Sequence, residues 1–462
     1  MPRSPYNMNM HRLVATLVAA VVLGAVPLAA PVAAQQLPDS TARRQQRALD
    51  SLATAMRGLQ NRLDSLTRAA NTPAANAPAV NAPATAAPMT PRAAGAYMNT
   101  SFVGQTAFGW SSTRDVESLQ RGDHDPKVRG FSLRNAELSL DGAVDPYFKA
   151  VANIVYKLDP NGETGVELED LYAVTTSLPL NLQIKAGQFF AEFGRQNPQH
   201  PHAWAFADQP LVLTRMFGPD GLRSTGARVS WLLPTPFYAE AMLAVMNSAG
   251  ATASFRSDES AEIHGATPFD RPVIGVGEML YVPRLTTSVD LTDTQTLLIG
   301  ASGAFGPNTG GATSDTRILG ADLYWKWKSA RANQGFPFVS IQSEYIARAY
   351  DTDARVPLDD ATPTLLGATL KDDGAYAQLL WGIRPRIVAG LRGEYAEANE
   401  ATYVSAERAN RSRWSPSLTW YPTEFSKLRI QYNYDNRAGI GIDHSVWMQF
   451  EFLLGAHAAH KF

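Results

Sequence analysis

From Tyr97 to the end of the chain, apolar and polar residues alternate in short runs. The clearest run covers 424–435, where Leu428, Ile430 and Tyr432 share one parity. A period of two residues is that of a β-strand with one apolar face and one polar face. The opposite parity of this run is polar throughout and holds Lys427, Arg429, Gln431, Asn433 and Asp435.

Sixteen such runs follow one another, and short links alternate with longer connections between them. The last run is apolar at Val446, Met448 and Phe450, and the chain then closes on Phe462. A soluble sandwich would have to bury the polar face of nearly every strand, whereas a closed barrel gives the apolar face to lipid and the polar face to water. The pattern therefore predicts an all-β transmembrane fold, a sixteen-stranded antiparallel porin-type barrel at 97–462.

The residues before the barrel divide into three segments. A basic start, an apolar run and small residues near position 34 predict a secretory signal peptide at 1–34. A heptad seam predicts a coiled-coil helix at 35–70 on the periplasmic side, and the tract at 71–96, rich in Ala and Pro, predicts a linker. One amphipathic helix on a surface is the alternative to the coiled coil. The seam consists of Leu49, Leu52, Met56, Leu59, Leu63 and Leu66.

Composition narrows the classes of function. Charged residues make up 18% of the chain and the net charge is -2, so no nucleic-acid partner is expected. The chain has no cysteine, which removes thiol catalysis and Cys-based zinc sites. The serine-hydrolase, zinc-protease and phosphate-loop motifs are also missing from the sequence, so neither an enzyme nor a cofactor is expected.

The long connection at 194–222 is the main candidate for a functional segment. Its apolar residues indicate packing, and it is interpreted as either an inward constriction that selects solutes or an ordinary external loop. Cations at lumen-facing positions would attract anions, although acidic residues share the same faces. The candidate constriction and solute-binding residues are Arg195, His200, His202, Asp208, Arg215 and Arg223, with Lys149, Lys157, Lys185, Lys427 and Arg429 on the strands.

Two histidine pairs and one acidic cluster raise the question of metal binding. Imidazole is a common zinc ligand, but each pair supplies two donors where a tetrahedral site needs three or four. Polar or stacking histidines are the alternative. The acidic cluster at 167–170 is interpreted as a solvated strand end rather than a calcium site. The metal candidates are His200, His202, His457 and His460.

The sequence resembles the phosphate-selective porin O and P family. The resemblance rests on the heptads, on FSLRNAELSLDG at 131–142 and on GQFFAEFG at 187–194. The segments at 200–218 and 455–462 are similar to a subgroup labelled zinc-regulated outer-membrane receptors. The resemblance implies a homotrimer in bacterial outer-membrane lipid that passes small hydrophilic solutes, such as phosphate and other anions, by passive diffusion. A metal-linked zinc-binding protein or receptor that uses the histidine clusters is the alternative.

Overall fold

The computed structural model describes residues 98–116, 119, 122–158, 162–249, 252–257, 261–333, 335–356, 364–398 and 408–455. The predicted signal peptide, coiled coil and linker lie outside these residues, as do His457 and His460.

The described chain forms one closed antiparallel barrel of sixteen strands, which confirms the predicted fold class. Each strand pairs with its neighbours in sequence, and β1 closes the barrel on β16 with Phe102 opposite Leu454. Two short helices, α1 (Leu211–Phe217) and α2 (Ala261–His264), and the 3-10 segments Pro179–Asn181, Pro201–Ala203 and Val276–Glu278 lie between strands. The strands are β1 (Met98–Ser111), β2 (Gly130–Ala143), β3 (Phe148–Leu158), β4 (Thr164–Thr175), β5 (Leu182–Phe190), β6 (Arg223–Leu232), β7 (Tyr238–Asn247), β8 (Met279–Thr292), β9 (Gln295–Pro307), β10 (Asp315–Asn333), β11 (Phe336–Thr352), β12 (Ala368–Arg384), β13 (Ile387–Ala398), β14 (Arg411–Thr423), β15 (Ser426–Arg437) and β16 (Gly441–Gly455).

The alternating pattern places apolar side chains on the outside of the barrel and polar ones inside. On β15, Ile430 and Tyr432 are each 37% exposed, whereas Arg429 is 2% exposed and Gln431 is fully buried. A closed barrel has no unpaired edge, so its backbone groups are satisfied without water. An apolar outer face then suits contact with lipid tails.

Short turns collect at one end of the barrel and longer connections at the other, as predicted. At the end that carries Met98 and Gly455 the described strands are joined by short turns, such as 293–294 between β8 and β9. The opposite end carries the connections 112–129, 191–222 and 248–278. None of the helices among the described residues has the length and apolar content that crossing a membrane requires.

Of six register shifts in the described strand ladders, two are β-bulges that lie away from the short turns and interrupt the strict alternation. In the β1–β2 ladder, Gln105 lies opposite Asn135 and Thr106 lies opposite Leu133. Arg134 is therefore an extra residue of β2 with no residue opposite it on β1. In the β3–β4 ladder, Asn153 lies opposite Asp170 and Ile154 lies opposite Leu168, so Glu169 is the extra residue of β4. A bulge adds one residue to a strand and re-aims side chains. Consecutive residues therefore point inward at both places: Arg134 and Asn135 on β2, and Glu169 and Asp170 on β4.

Part of the inner wall is apolar, which the sequence pattern did not predict. Helix α1 is buried along its whole length and contacts β11, β12 and β13. Its apolar side chains from Val212 to Phe217 belong to one core cluster that also contains residues of β7 to β12. This packing joins the connection 191–222 to the wall through a hydrophobic core. The wall contributes Ala244, Met246, Leu280, Val282, Ala304, Ile318, Ile346 and Tyr376.

Candidate functional site

The connection between β5 and β6, residues 191–222, is hereafter called the inward loop, because it lies inside the barrel. Its backbone carbonyls accept hydrogen bonds from inward-facing side chains of β15, a strand that follows more than 200 positions later in the sequence. Lys427 Nζ donates to the carbonyl of His202 at 2.6 Å, and Arg429 Nη2 donates to the carbonyl of Trp204 at 2.9 Å. These bonds hold the middle of the loop against the wall.

Asp208 is the most heavily bonded residue of the inward loop. Its fully buried carboxylate pairs with Arg392, and its Oδ2 lies 3.2 Å from Arg413 Nη1. Gln431 Nε2 and Asn433 Nδ2 each donate to it at 2.9 Å. Although burial raises the pKa of Asp208, Arg413 and Arg392 hold it well below its usual value. The carboxylate is therefore ionised and ties the loop to β13, β14 and β15.

The C-terminal half of the loop is fixed at both ends of α1. Leu211 N donates to Glu394 Oε2 at 2.6 Å, so a wall carboxylate caps the first turn. At the other end Arg348 Nη1 donates to the carbonyl of Arg215 at 3.1 Å. Arg215 itself donates through Nη2 to the carbonyl of Ala409 at 2.5 Å. Side-chain bonds thus replace the missing partners of a short helix.

The loop enters the lumen through a tight contact at Gly194. This residue has φ of 62°, and a Cβ here would collide with the carboxylate of Glu344. The same carboxylate accepts hydrogen bonds from Arg195 N at 3.0 Å and Gln196 N at 2.7 Å. Only glycine allows both the positive φ and this close approach.

Histidines and carboxylates meet where the inward loop crosses β2 and β4. This histidine–carboxylate cluster has five close contacts: His200 Nδ1 to Glu169 Oε2 at 2.9 Å and to Glu137 Oε1 at 3.6 Å, His200 Nε2 to Asp170 Oδ2 at 2.8 Å, His202 Nδ1 to Glu137 Oε2 at 3.0 Å, and His124 Nε2 to Glu169 Oε1 at 2.8 Å.

Electrostatics bind this cluster together. Burial lowers the pKa of His200, but Glu137, Asp170 and Glu169 together raise it well above its ordinary value. The pKa of His124 is raised in the same way, against the effect of burial, chiefly by Glu169. The imidazole rings of His200 and His202 stack with centroids 5.8 Å apart.

A second cluster beside the first already contains Lys and Arg cations, among them Lys127, whose Nζ lies 3.7 Å from Asp123 Oδ1. Asp123, Glu167 and Asp220 come together around Lys157, whose Nζ contacts the first two and lies 3.7 Å from Asp220. Arg223 also pairs with Glu167. The solvated strand end predicted at 167–170 was wrong, because the bulge turns Glu169 and Asp170 inward, where they are 1% and 5% exposed.

The structure separates the other predicted site residues. Lys185 lies inside the barrel with Glu192 at 2.5 Å, and Arg195 lies over the ring of Tyr324 at 4.0 Å. Lys149 is exposed next to the short β2–β3 turn, away from this group in sequence and register. Sequence reasoning missed Glu137, Glu169 and Asp170 as partners of His200.

Comparisons with known proteins give one relative and a shared fold. A protein of Aquifex aeolicus (strain VF5), described as "Uncharacterized protein", is 34% identical over 358 residues, which are 72% of this chain and 70% of that protein. The outer membrane channel DcaP of Acinetobacter baumannii has a TM-score of 0.51 at 12% identity, covering 78% of this chain and 97% of that one. An anion-selective porin from Comamonas acidovorans has a TM-score of 0.49 at 8% identity, covering 78% and 100%. No model of a known protein family matches this chain. The likeness to DcaP shows that the two chains share a barrel fold.

Proposed function

This chain belongs to the same family as the Aquifex aeolicus protein, and from its barrel we propose that it is an outer-membrane porin that passes small hydrophilic solutes by passive diffusion. The observation that carries this proposal is the distribution of side chains on a closed sheet. Apolar residues face outward, and charged residues of β13, β14 and β15 face a lumen crossed by an anchored loop. A loop held inside a barrel narrows the path and places its own charges beside the solute.

Two cations of the inner wall support a preference for anions such as phosphate. Among the described residues, no carboxylate oxygen lies within 4.0 Å of the guanidinium groups of Arg134 or Arg429, while Lys427 pairs with Glu451 at 2.9 Å. The three guanidinium nitrogens of Arg134 have no hydrogen-bond partner in the part of the chain that the structure describes. The carboxylates of Asp208 and Glu451 act on both guanidinium groups only from a distance, and positive charge without a direct carboxylate contact in a narrow lumen lowers the electrostatic barrier for anions. The constriction then consists of the inward loop and this part of the wall.

The segments before the barrel complete the proposal. After removal of residues 1–34, the heptads at 35–70 would join three copies in the periplasm, and the linker at 71–96 would connect the coil to each barrel. A homotrimer is the arrangement that the resemblance to phosphate-selective porins implies. Cross-linking of the purified protein, with and without residues 35–70, tests this part separately from conduction.

Conductance in a planar bilayer tests the channel itself. We expect stepwise openings of the purified protein and a reversal potential shifted toward the anion under a KCl gradient. Arg134→Gln and Arg429→Gln should move the reversal potential toward the cation, whereas Arg331→Gln, an exposed residue at the end of β10, should not. Cation-selective openings would remove the phosphate interpretation and keep the porin. A folded protein that gives no conductance would refute the porin.

A further inference from the structure

The histidine–carboxylate cluster has the composition and spacing of a metal-ion site. We propose that Glu137, Glu169 and His200 bind one divalent transition-metal ion of the zinc class inside the barrel. One atom of each residue lies within 4.8 Å of the others. The donors differ from the His200–His202 pair predicted from the sequence, because His202 Nδ1 contacts Glu137 rather than an open position.

The distances between donor atoms fit such an ion. Nitrogen and oxygen ligands of Zn²⁺ lie at about 2.0–2.2 Å, which separates two ligands of a tetrahedron by about 3.3 Å. His200 Nδ1 lies 2.9 Å from Glu169 Oε2 and 3.6 Å from Glu137 Oε1, on either side of that value. Two of the three donor pairs thus lie near the spacing of ligands on one ion, and the two carboxylates lie within 4.8 Å of each other.

The second atom of every donor residue is already engaged by a neighbour. His200 Nε2 donates to Asp170 Oδ2, which also accepts from Asn153 Nδ2 at 3.0 Å. The Nδ1 atom faces Glu169 Oε2 at 2.9 Å, and an ion bound there would take the place of the Nδ1 proton while Nε2 keeps its bond to Asp170. Histidine ligands of metals commonly donate their other N–H to a carboxylate in this way, and ligating carboxylates are themselves hydrogen-bonded.

The two carboxylates are held in the same manner. His202 Nδ1 contacts Glu137 Oε2 at 3.0 Å, and His124 Nε2 contacts Glu169 Oε1 at 2.8 Å. Each carboxylate therefore presents its remaining oxygen toward His200 Nδ1. These outer contacts fix the direction of the donors before any ion arrives, which reduces the cost of assembling the site.

One oxygen of the Glu137 carboxylate, Oε1, faces His200 Nδ1 at 3.6 Å, beyond hydrogen-bond distance. Glu137 is 1% exposed, and among the described residues no donor lies within hydrogen-bond distance of its Oε1. No Lys or Arg nitrogen of the described residues lies within 4.0 Å of the carboxylates of Glu137 or Glu169. The adjacent cluster of Asp123, Glu167 and Asp220, by contrast, surrounds the ammonium of Lys157. The carboxylates of the first cluster are contacted by histidines rather than by Lys or Arg.

The chemistry of the donors selects the class of ion. One imidazole and two carboxylates suit zinc and neighbouring divalent transition metals, whereas Ca²⁺ takes six to eight oxygen ligands. The imidazole of His200 is 15% exposed, so a water molecule can complete the coordination from the lumen. Glu137 and Glu169 lie on strands β2 and β4, and His200 directly precedes the 3-10 segment Pro201–Ala203 of the inward loop. The ion would therefore join the inward loop to the wall.

Zinc binding to the refolded full-length mature protein tests the proposal. We expect one Zn²⁺ per chain in competition with a chromophoric chelator, and an X-ray absorption shell of nitrogen and oxygen atoms at about 2.0–2.1 Å. His200→Gln and Glu169→Gln should each weaken binding by about 100-fold or more, and Asp170→Asn, which acts through His200, by about 10–100-fold. His444→Gln, which changes an exposed histidine on β16, should bind as the unchanged protein does.

Two results would overturn the proposal. One is a folded protein, shown by its heat-dependent mobility on a denaturing gel, that binds no zinc. The other is binding that survives both His200→Gln and Glu169→Gln, or that disappears in a double His457→Gln and His460→Gln variant. Channel conductance measured on the same samples keeps this question apart from the porin proposal, since loss of zinc leaves a barrel that still conducts.

Discussion

Replacing Asp208 by asparagine should release the inward loop from the wall while leaving the barrel closed. The carboxylate is fully buried, and its charge faces the guanidinium groups of Arg392 and Arg413. Asparagine keeps the size of the side chain but removes the charge and turns one acceptor into a donor. The strand ladders do not depend on this residue, so the change acts on the loop rather than on the sheet.

The magnitude follows from what remains after the change. Removing one partner of a buried ion pair costs about 3–5 kcal/mol, because the other charge is left uncompensated. Here Glu394 Oε1 stays 2.9 Å from Arg392 Nε and 2.7 Å from Arg413 Nε, so one carboxylate still serves both cations. We therefore expect about 3 kcal/mol, which is about a hundredfold change in the equilibrium between docked and released loop.

Single-channel recording and limited proteolysis together measure this release. Asp208→Asn should show larger and noisier openings, and cleavage within 191–222 that is absent from the unchanged protein. Asp270→Asn, which changes an exposed aspartate of the 248–278 connection, serves as the matched control. If Asp208→Asn conducts and resists protease as the unchanged protein does, the buried ion pairs do not hold the loop and the reasoning fails.

Three further predictions concern other parts of the molecule. Burial and then the charge of Arg355 lower the pKa of His264 to about 4, below the ordinary histidine value of about 6.5. The unfolded chain therefore binds the proton more tightly, and stability should fall by about 3 kcal/mol as pH drops from about 7 to 4. His264→Gln should flatten this dependence in thermal unfolding. The stacked ring of Tyr350 and the 2.8 Å bond from Arg355 Nε to the His264 carbonyl keep the group in place. Gly194→Ala should push the loop away from the Glu344 carboxylate and lower the protease resistance of 191–222; an unchanged digestion pattern would contradict the close contact. Leu319→Arg, on an outward side chain that is 59% exposed, should destabilise the barrel in lipid by about 2–4 kcal/mol if it lies near the bilayer midplane, as measured by urea-induced unfolding from vesicles.

The fold could be predicted because side chains of a barrel strand face lipid and lumen in turn, which gives the sequence an apolar–polar period of two residues. On β15 every second residue from Leu428 is apolar, and the structure places that parity outside and the other inside. The alternation of short and long connections likewise fixed which ends of the strands meet. Strand β5 covers only Leu182–Phe190, because Pro179–Asn181 forms a 3-10 turn and the inward loop begins at 191.

The site could be predicted only in part, because a bulge shifts the parity within a strand. Leu168 and Leu171 both face outward although three positions separate them, and the two acids between them both face inward. The sequence did contain one signal of this bulge: Leu168 and Leu171 are three positions apart, whereas apolar residues elsewhere in an alternating strand are two positions apart. The partners of the inward loop were beyond reach, since Trp204 and the other apolar residues of 194–222 indicate packing without showing which wall they meet.

The position of the inward loop's partners along the chain has a consequence for the order of assembly. The carbonyl of Trp204 is bonded to Arg429, 225 positions later, and the backbone N–H of Arg195 is bonded to Glu344, 149 positions later. Contacts between residues so far apart form only after the intervening chain has been ordered. The loop therefore reaches its final position after β11 to β15 are in place, so the narrowing of the lumen is a late step of folding that reports on whether the barrel has been completed.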